Sequence, residues 1–86
     1  MPEISRFFGI IIRMFLDDHN PSHFHVQYCE FEAIISIEDL QIMEGELPPR
    51  VYGLVVEWAT IHKEELKNNW NLAKNMQNLQ KIKPLI

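Results

Sequence analysis

The stretch HFHVQYCEFEAIISI, residues 23–37, decides the fold of this 86-residue chain. Apolar and polar residues alternate on both sides of Cys29-Glu30, which is typical of β-strands that bury one face. The two residues Cys29 and Glu30 are few enough to form a tight turn. The stretch therefore predicts an antiparallel hairpin. In its first strand, one face carries Phe24, Val26 and Tyr28, and the other carries His23, His25 and Gln27.

Further strands are predicted on either side of this hairpin. Residues 10–16 also alternate, and the turn-forming cluster DDHNPS at 17–22 separates them from residue 23. Residues 41–44 form a weaker strand pattern that ends at Gly45. We therefore expect a three- to four-stranded antiparallel sheet in the N-terminal half.

The C-terminal half has the pattern of a helix. Pro48-Pro49 suits a helix start, because proline lacks only an N–H that the first turn leaves unpaired anyway. Apolar and aromatic positions then recur at spacings of three and four: Val51, Val55, Trp58, His62, Leu66, Trp70 and Ala73. This stripe predicts one long helix, or two short ones if it breaks near His62-Lys63. The tail from Leu79 to Ile86 either adds an edge strand or covers the core. With the sheet first and the helix second, we expect residues 1–86 to form a single α+β domain.

The net charge of −4 is unevenly distributed. Residues 1–49 hold nine acidic and two basic side chains, net −7, whereas residues 50–86 hold three acidic and six basic ones, net +3. An acidic half repels a phosphate backbone, so broad nucleic-acid binding is disfavoured.

The single cysteine, Cys29, excludes an internal disulfide and a Cys-based zinc cluster, and it fits a reducing compartment. The apolar run at 7–16 is only ten residues long and is interrupted by Arg13, so we expect no membrane segment. The sequence accordingly favours a cytoplasmic protein.

Three of the four histidines fall within seven residues: His19, His23 and His25. Because His23 and His25 share one strand face, their rings can meet a single ion. His19, or Asp17 or Asp18, would supply a third ligand and leave a position open for water. The first hypothesis is therefore a divalent metal such as zinc on His19, His23 and His25.

Two other interpretations of the histidines stay open. In a metal-free enzyme, His23, His25 and His62 would serve acid–base catalysis. Arg6, Arg13 or Tyr28 would stabilise a developing phosphate charge, and Arg13 is the candidate we select. That is the minimal equipment of a small ribonuclease; the metal alternative would be a hydrolase. In the structural interpretation, the imidazoles brace the loop or contact a partner, and His62 is a hydrogen-bonded core residue on its apolar stripe.

The motifs also resemble those of a known family. These are PEISRF at 2–7, DHNP at 18–21, HFHV at 23–26, and Glu57-Trp58 with His62 and Trp70 further along. The chain resembles the bacterial family catalogued as domain of unknown function 4160. The resemblance implies a small protein encoded beside a second small protein, a pairing suggestive of a toxin–antitoxin-like module.

We therefore expect a protein-binding component whose partner is that neighbouring protein, or a homo-oligomer that supplies burial a small domain lacks. The alternative is a small enzyme that uses the histidine cluster. The chain departs from the family at Cys29, where the family usually has glycine. If the turn needs a positive φ at its first position, Cys29 would be strained. We therefore expect either a different turn or the unusual conformation at Glu30.

Overall fold

The computed structural model describes residues 2–16 and 19–86. The strands are β1 (Glu3–Phe7), β2 (Ile10–Arg13), β3 (His23–Tyr28), β4 (Phe31–Ser36) and β5 (Ile42–Gly45). The helices are α1 (Pro49–Ile61) and α2 (Lys63–Lys74). The α+β fold predicted from the sequence is confirmed, with five strands rather than three or four.

The five strands form one antiparallel sheet in the order β1-β2-β3-β4-β5. The predicted central hairpin is present, because Tyr28 pairs with Phe31 across the turn at Cys29-Glu30. Cys29 has φ 53°, a conformation that strains a residue with a side chain. Cys29 itself, and not Glu30, therefore takes the positive φ at this turn.

The strand that the sequence analysis missed is β1. Its residues Ile4 and Ser5 are both buried, because a bulge lies between Glu3 and Ser5 and breaks the alternation. The turn into β2 uses Phe8 and Gly9, with φ of 51° and 77°. Positive φ at both central positions is the geometry of a type I′ turn, which prefers Asn-Gly to Phe-Gly. Neither the strand nor the turn therefore has its usual sequence signal.

The helical half is broken at His62, the second of the two arrangements predicted. His62 has φ −109° and ψ 26°, outside helical values, and serves as both the C-cap of α1 and the N-cap of α2. Its N–H donates to the carbonyl oxygen of Trp58, and its own carbonyl accepts from Leu66. The buried stripe continues through the break, because Trp58, Leu66 and Trp70 all remain in the core.

The C-terminal tail covers the core rather than forming a strand. The Ile82 side chain is buried, and its N–H donates to the carbonyl oxygen of Ile4 in β1 at 2.8 Å. The indole Nε1 of Trp58 donates to the carbonyl oxygen of Lys83 at 2.8 Å. The tail thus lies between β1 and the helices.

The chain forms one hydrophobic core, and its surface area and compactness are those of a folded monomer. Its accessible surface is 5275 Å², which matches the roughly 5300 Å² of a folded monomer of this mass. Its radius of gyration is 11.6 Å, against about 12 Å for a compact domain of this length.

Candidate functional site: a groove on the open face of the sheet

Helix α1 packs on one face of the sheet, and α2 also reaches His23 at the start of β3. Consecutive strand residues point to opposite faces, so Phe24 of β3 faces the helices and His25 faces away. Trp58 of α1 lies against Phe24 and Phe7, with ring centroids 6.1 and 5.5 Å apart. We call the opposite side, which carries His25 and Gln27, the open face.

A groove of about 600 Å³ runs across the open face. The strand register places four residues in one row across four strands, namely Arg13, His25, Ile34 and Glu44. The next row contains Ile11, Gln27 and Glu32. A volume of this size is in the range of small-molecule sites.

One end of the groove is cationic. Arg13 is half-buried, and its Nη1 donates to Oε1 of Gln27 at 2.5 Å. Glu3 stands opposite Arg13 in the register, yet both of its carboxylate oxygens accept hydrogen bonds from Arg6, at 2.8 and 3.1 Å. Arg13 therefore lies in the groove with its guanidinium held by an amide, and within residues 2–16 and 19–86 it forms no salt bridge with a carboxylate.

The Glu3–Arg6 pair lies at the β1 edge and is exposed. The hydrogen bond from Arg6 lowers the pKa of Glu3, and the charges of Arg6, Lys81 and Arg13 lower it further. The same bond to Glu3 raises the pKa of Arg6. Both groups are therefore held in their charged forms.

The opposite end of the groove is acidic. Glu32 of β4 and Glu44 of β5 line it with exposed side chains. Glu46 lies next to Glu32, because its N–H donates to the Glu32 carbonyl oxygen. Across the described ranges 2–16 and 19–86, these three carboxylates have no ion-pair partner. The groove is thus dipolar, from Arg13 on β2 to Glu44 on β5.

His25 and His23 are brought together as the sequence predicted. Their ring centroids are 5.3 Å apart, and the His25 ring also meets the edge of Phe15 at 4.5 Å. His25 is half-buried and lines the groove, whereas His23 is buried and packs against Trp70 of α2 at 5.1 Å. Only His25 therefore reaches the groove.

The buried His23 has a defined proton position. Its Nδ1 lies 2.8 Å from the carbonyl oxygen of Pro21. A carbonyl oxygen only accepts hydrogen bonds, so Nδ1 carries the proton. His23 thereby connects the loop before β3 to α2, through its hydrogen bond to Pro21 and its ring contact with Trp70.

His62 and His19 lie elsewhere. The His62 ring lies 5.7 Å from Trp58, on the helix side of the sheet, and its Nδ1 donates to Oε1 of Glu65 at 2.5 Å. His19 is exposed in the loop between β2 and β3. These contacts of His62 suit a structural role, and its catalytic assignment stays a prediction.

Metal binding also stays a prediction. Within the described part of the chain, no three His, Cys, Asp or Glu side chains form a group that could hold a metal ion. Asp17 and Asp18, named as alternative third ligands, fall outside the described residues. His19, His23 and His25 all make contacts beyond those given above.

The groove also contains Phe15, Gln27, Glu32 and Glu44, to which the sequence analysis assigned no binding role. The alternation of the central hairpin places Gln27 on the same face as His25, and Glu32 pairs with Gln27 across the hairpin. Both positions could therefore have been assigned from the sequence. Glu44 could not be placed, because a bulge between Ile34 and Ile35 shifts the register of β5. Residues 2–16 and 19–86 include no helix with the length and apolar character needed to cross a bilayer.

A five-stranded antiparallel sheet, backed by two helices and grooved on its uncovered face, defines a small α+β domain. Residues 9–71 match the family described as "Domain of unknown function (DUF4160)", and the chain belongs to this family. Searches of curated proteins and of solved structures each found no match.

Proposed function

We propose that this protein is the binding component of a two-gene, toxin–antitoxin-like module and receives a second small protein on its open face. The observation that carries the proposal is the groove of about 600 Å³ on that face. It is lined by half-buried side chains of both polarities, including Arg13, His25 and Ile34. The two-gene setting is what the family resemblance implies.

The sheet edges are poorer binding sites than the open face. β1 is joined to the tail through Ile82, and β5 has only four residues and a bulge at Met43. Short, bulged or covered edges resist the addition of another strand. The groove is therefore the surface on which a partner finds both shape and polar groups.

The test is co-expression with the small protein encoded by the neighbouring gene, followed by size exclusion with light scattering. The proposal expects a heteromeric peak at micromolar concentration. Two separate monomer peaks would contradict it. As a control, the chain alone should elute as a monomer, since its surface area is that of a folded monomer.

A second candidate function is acid–base catalysis in the same groove. It is favoured by one observation: His25 pairs directly with Arg13 across β2 and β3, inside the groove. A histidine beside a guanidinium is suited to proton transfer at a phosphate ester. Cleavage of a mixed-sequence RNA, compared between wild type and His25→Gln, tests this; equal cleavage by both would remove it.

A further inference from the structure

Resting on the proposed function, we infer that the groove selects its partner by charge at its two ends. The occupant is an extended segment of the second protein with an acidic and a basic side chain four residues apart. The acidic side chain binds Arg13, and the basic one binds Glu44 and Glu32.

The cationic end is prepared for a carboxylate. Gln27 holds Arg13 through one nitrogen, Nη1, which fixes the guanidinium without neutralising it. Glu3, the carboxylate opposite Arg13 in the register, accepts hydrogen bonds from Arg6 at both oxygens and interacts with Arg13 through charge alone. A planar guanidinium with donors to spare favours a bidentate carboxylate.

The acidic end is prepared for a lysine or arginine. Glu32 and Glu44 lie on adjacent strands of the same face, and Glu46 is next to Glu32. The sequence has no lysine or arginine from residue 17 to residue 48 that could neutralise them. A basic side chain there would meet at least two carboxylates with no competing cation from this stretch.

The spacing of the two ends sets the spacing of the motif. Arg13 and Glu44 occupy the first and last positions of one row across four strands. Three strand spacings of about 4.8 Å separate them by about 14 Å. An extended segment rises about 3.3 Å per residue, so four residues cover that distance. Because four is even, both side chains point to the same side of the segment, toward the groove.

Charge complementarity favours a different chain over a second copy. The acidic end carries three carboxylates, Glu32, Glu44 and Glu46, whereas the cationic end carries the one guanidinium of Arg13. Even two copies arranged with each Arg13 opposite the other copy's Glu44 would therefore bring an excess of negative charge together. The acidic half of one copy docked on the basic half of the next would be a head-to-tail contact, which extends into chains unless its rotation closes a ring. Oligomers of this protein alone are therefore an outcome that the test identifies.

The test uses the co-expressed complex and isothermal titration. The groove variants are Arg13→Gln and Glu44→Gln, and the matched controls are Lys67→Gln and Glu57→Gln, exposed on the helices. We expect each groove variant to weaken binding about tenfold or more, and each control to stay within about twofold. Overlapping 12-residue peptides of the partner, titrated one by one, locate the segment; the one that binds should carry the acid–base pair four residues apart.

The experiment distinguishes failure of the charge-selective groove from failure of the proposed function. If the complex forms and both groove variants bind like wild type, the charge-selective groove is overturned while the proposed function stands. A bound peptide without the spaced pair also overturns it. If no complex forms, or only oligomers of this protein appear, the proposed function itself is overturned. Glu44 is exposed on an edge strand, so its variant should fold even if Arg13→Gln does not.

Discussion

The buried amide of Asn69 exchanges two hydrogen bonds with the backbone of Gln80. Asn69 Nδ2 donates to the Gln80 carbonyl oxygen at 2.8 Å, and the Gln80 N–H donates to Asn69 Oδ1 at 2.9 Å. The side chain thus pairs with the tail as a neighbouring strand would. This pair fixes the start of the segment that covers β1 and the core.

We expect Asn69→Ala to lower the free energy of unfolding by about 2 kcal/mol, since two partly buried hydrogen bonds are lost together. Urea denaturation measures the change. The control is Asn68→Ala, an exposed position in the same helix, where alanine should be neutral or slightly stabilising. Equal effects of the two substitutions would show that the tail is not held by Asn69.

The turn at Cys29 predicts a stabilising substitution. Cys29 has φ 53°, which costs a residue with a side chain about 1–2 kcal/mol. Cys29→Gly removes this strain but adds freedom to the unfolded chain, so we expect a net gain of about 0.5 kcal/mol. Cys29→Ala retains the Cβ and should give no such gain. Urea curves in the presence of a reductant compare the three proteins.

Gly45 and Gly53 predict opposite responses to alanine. Gly45 has φ 81°, and a Cβ there would lie 2.1 Å from the Glu32 carbonyl oxygen, so backbone would have to move. We expect Gly45→Ala to cost more than about 2 kcal/mol. Gly53 lies within α1 with nothing within 4 Å of such a Cβ, and Gly53→Ala should stabilise by about 1 kcal/mol. Thermal melts that moved in the same direction for both variants would contradict this account.

The Glu3–Arg6 pair predicts a pH effect at the β1 edge. The hydrogen bond from Arg6 holds the pKa of Glu3 below its ordinary value in the folded chain. A lowered folded pKa contributes stability that is present above the unfolded pKa and is lost as the pH falls through the folded one. Arg6→Gln should raise the pKa of Glu3 in a carbon-detected NMR titration. Because both groups are exposed, high salt should reduce the difference in Glu3 pKa between wild type and Arg6→Gln. The same Glu3 pKa in both proteins at low salt would show that the pair does not persist in solution.

The central hairpin illustrates how far local pattern determines structure. Period-two alternation places Phe24 and Val26 in the core and His25 and Gln27 on the open face, and both assignments depend on neighbouring residues alone. The helical stripe and the proline start at residues 48–49 are equally local. β1 was missed because a bulge breaks its alternation and because Phe8-Gly9 is an unusual pair for a turn with two positive φ values.

The sequence by itself determined the α+β class, the hairpin, the pairing of His23 with His25, and the uneven charge. Strand period and helical period act over a few residues, so these features need no knowledge of distant contacts. Only the tertiary structure decided that Arg13 and Glu44 form the two ends of one groove. That outcome depends on the register of four strands, including the bulge in β5, and on the helices covering the other face. The fastening of the tail by Asn69 was decided in the same way, by contact between segments far apart in the chain. The break at His62 was one of two arrangements that the sequence allowed, and the structure selects it.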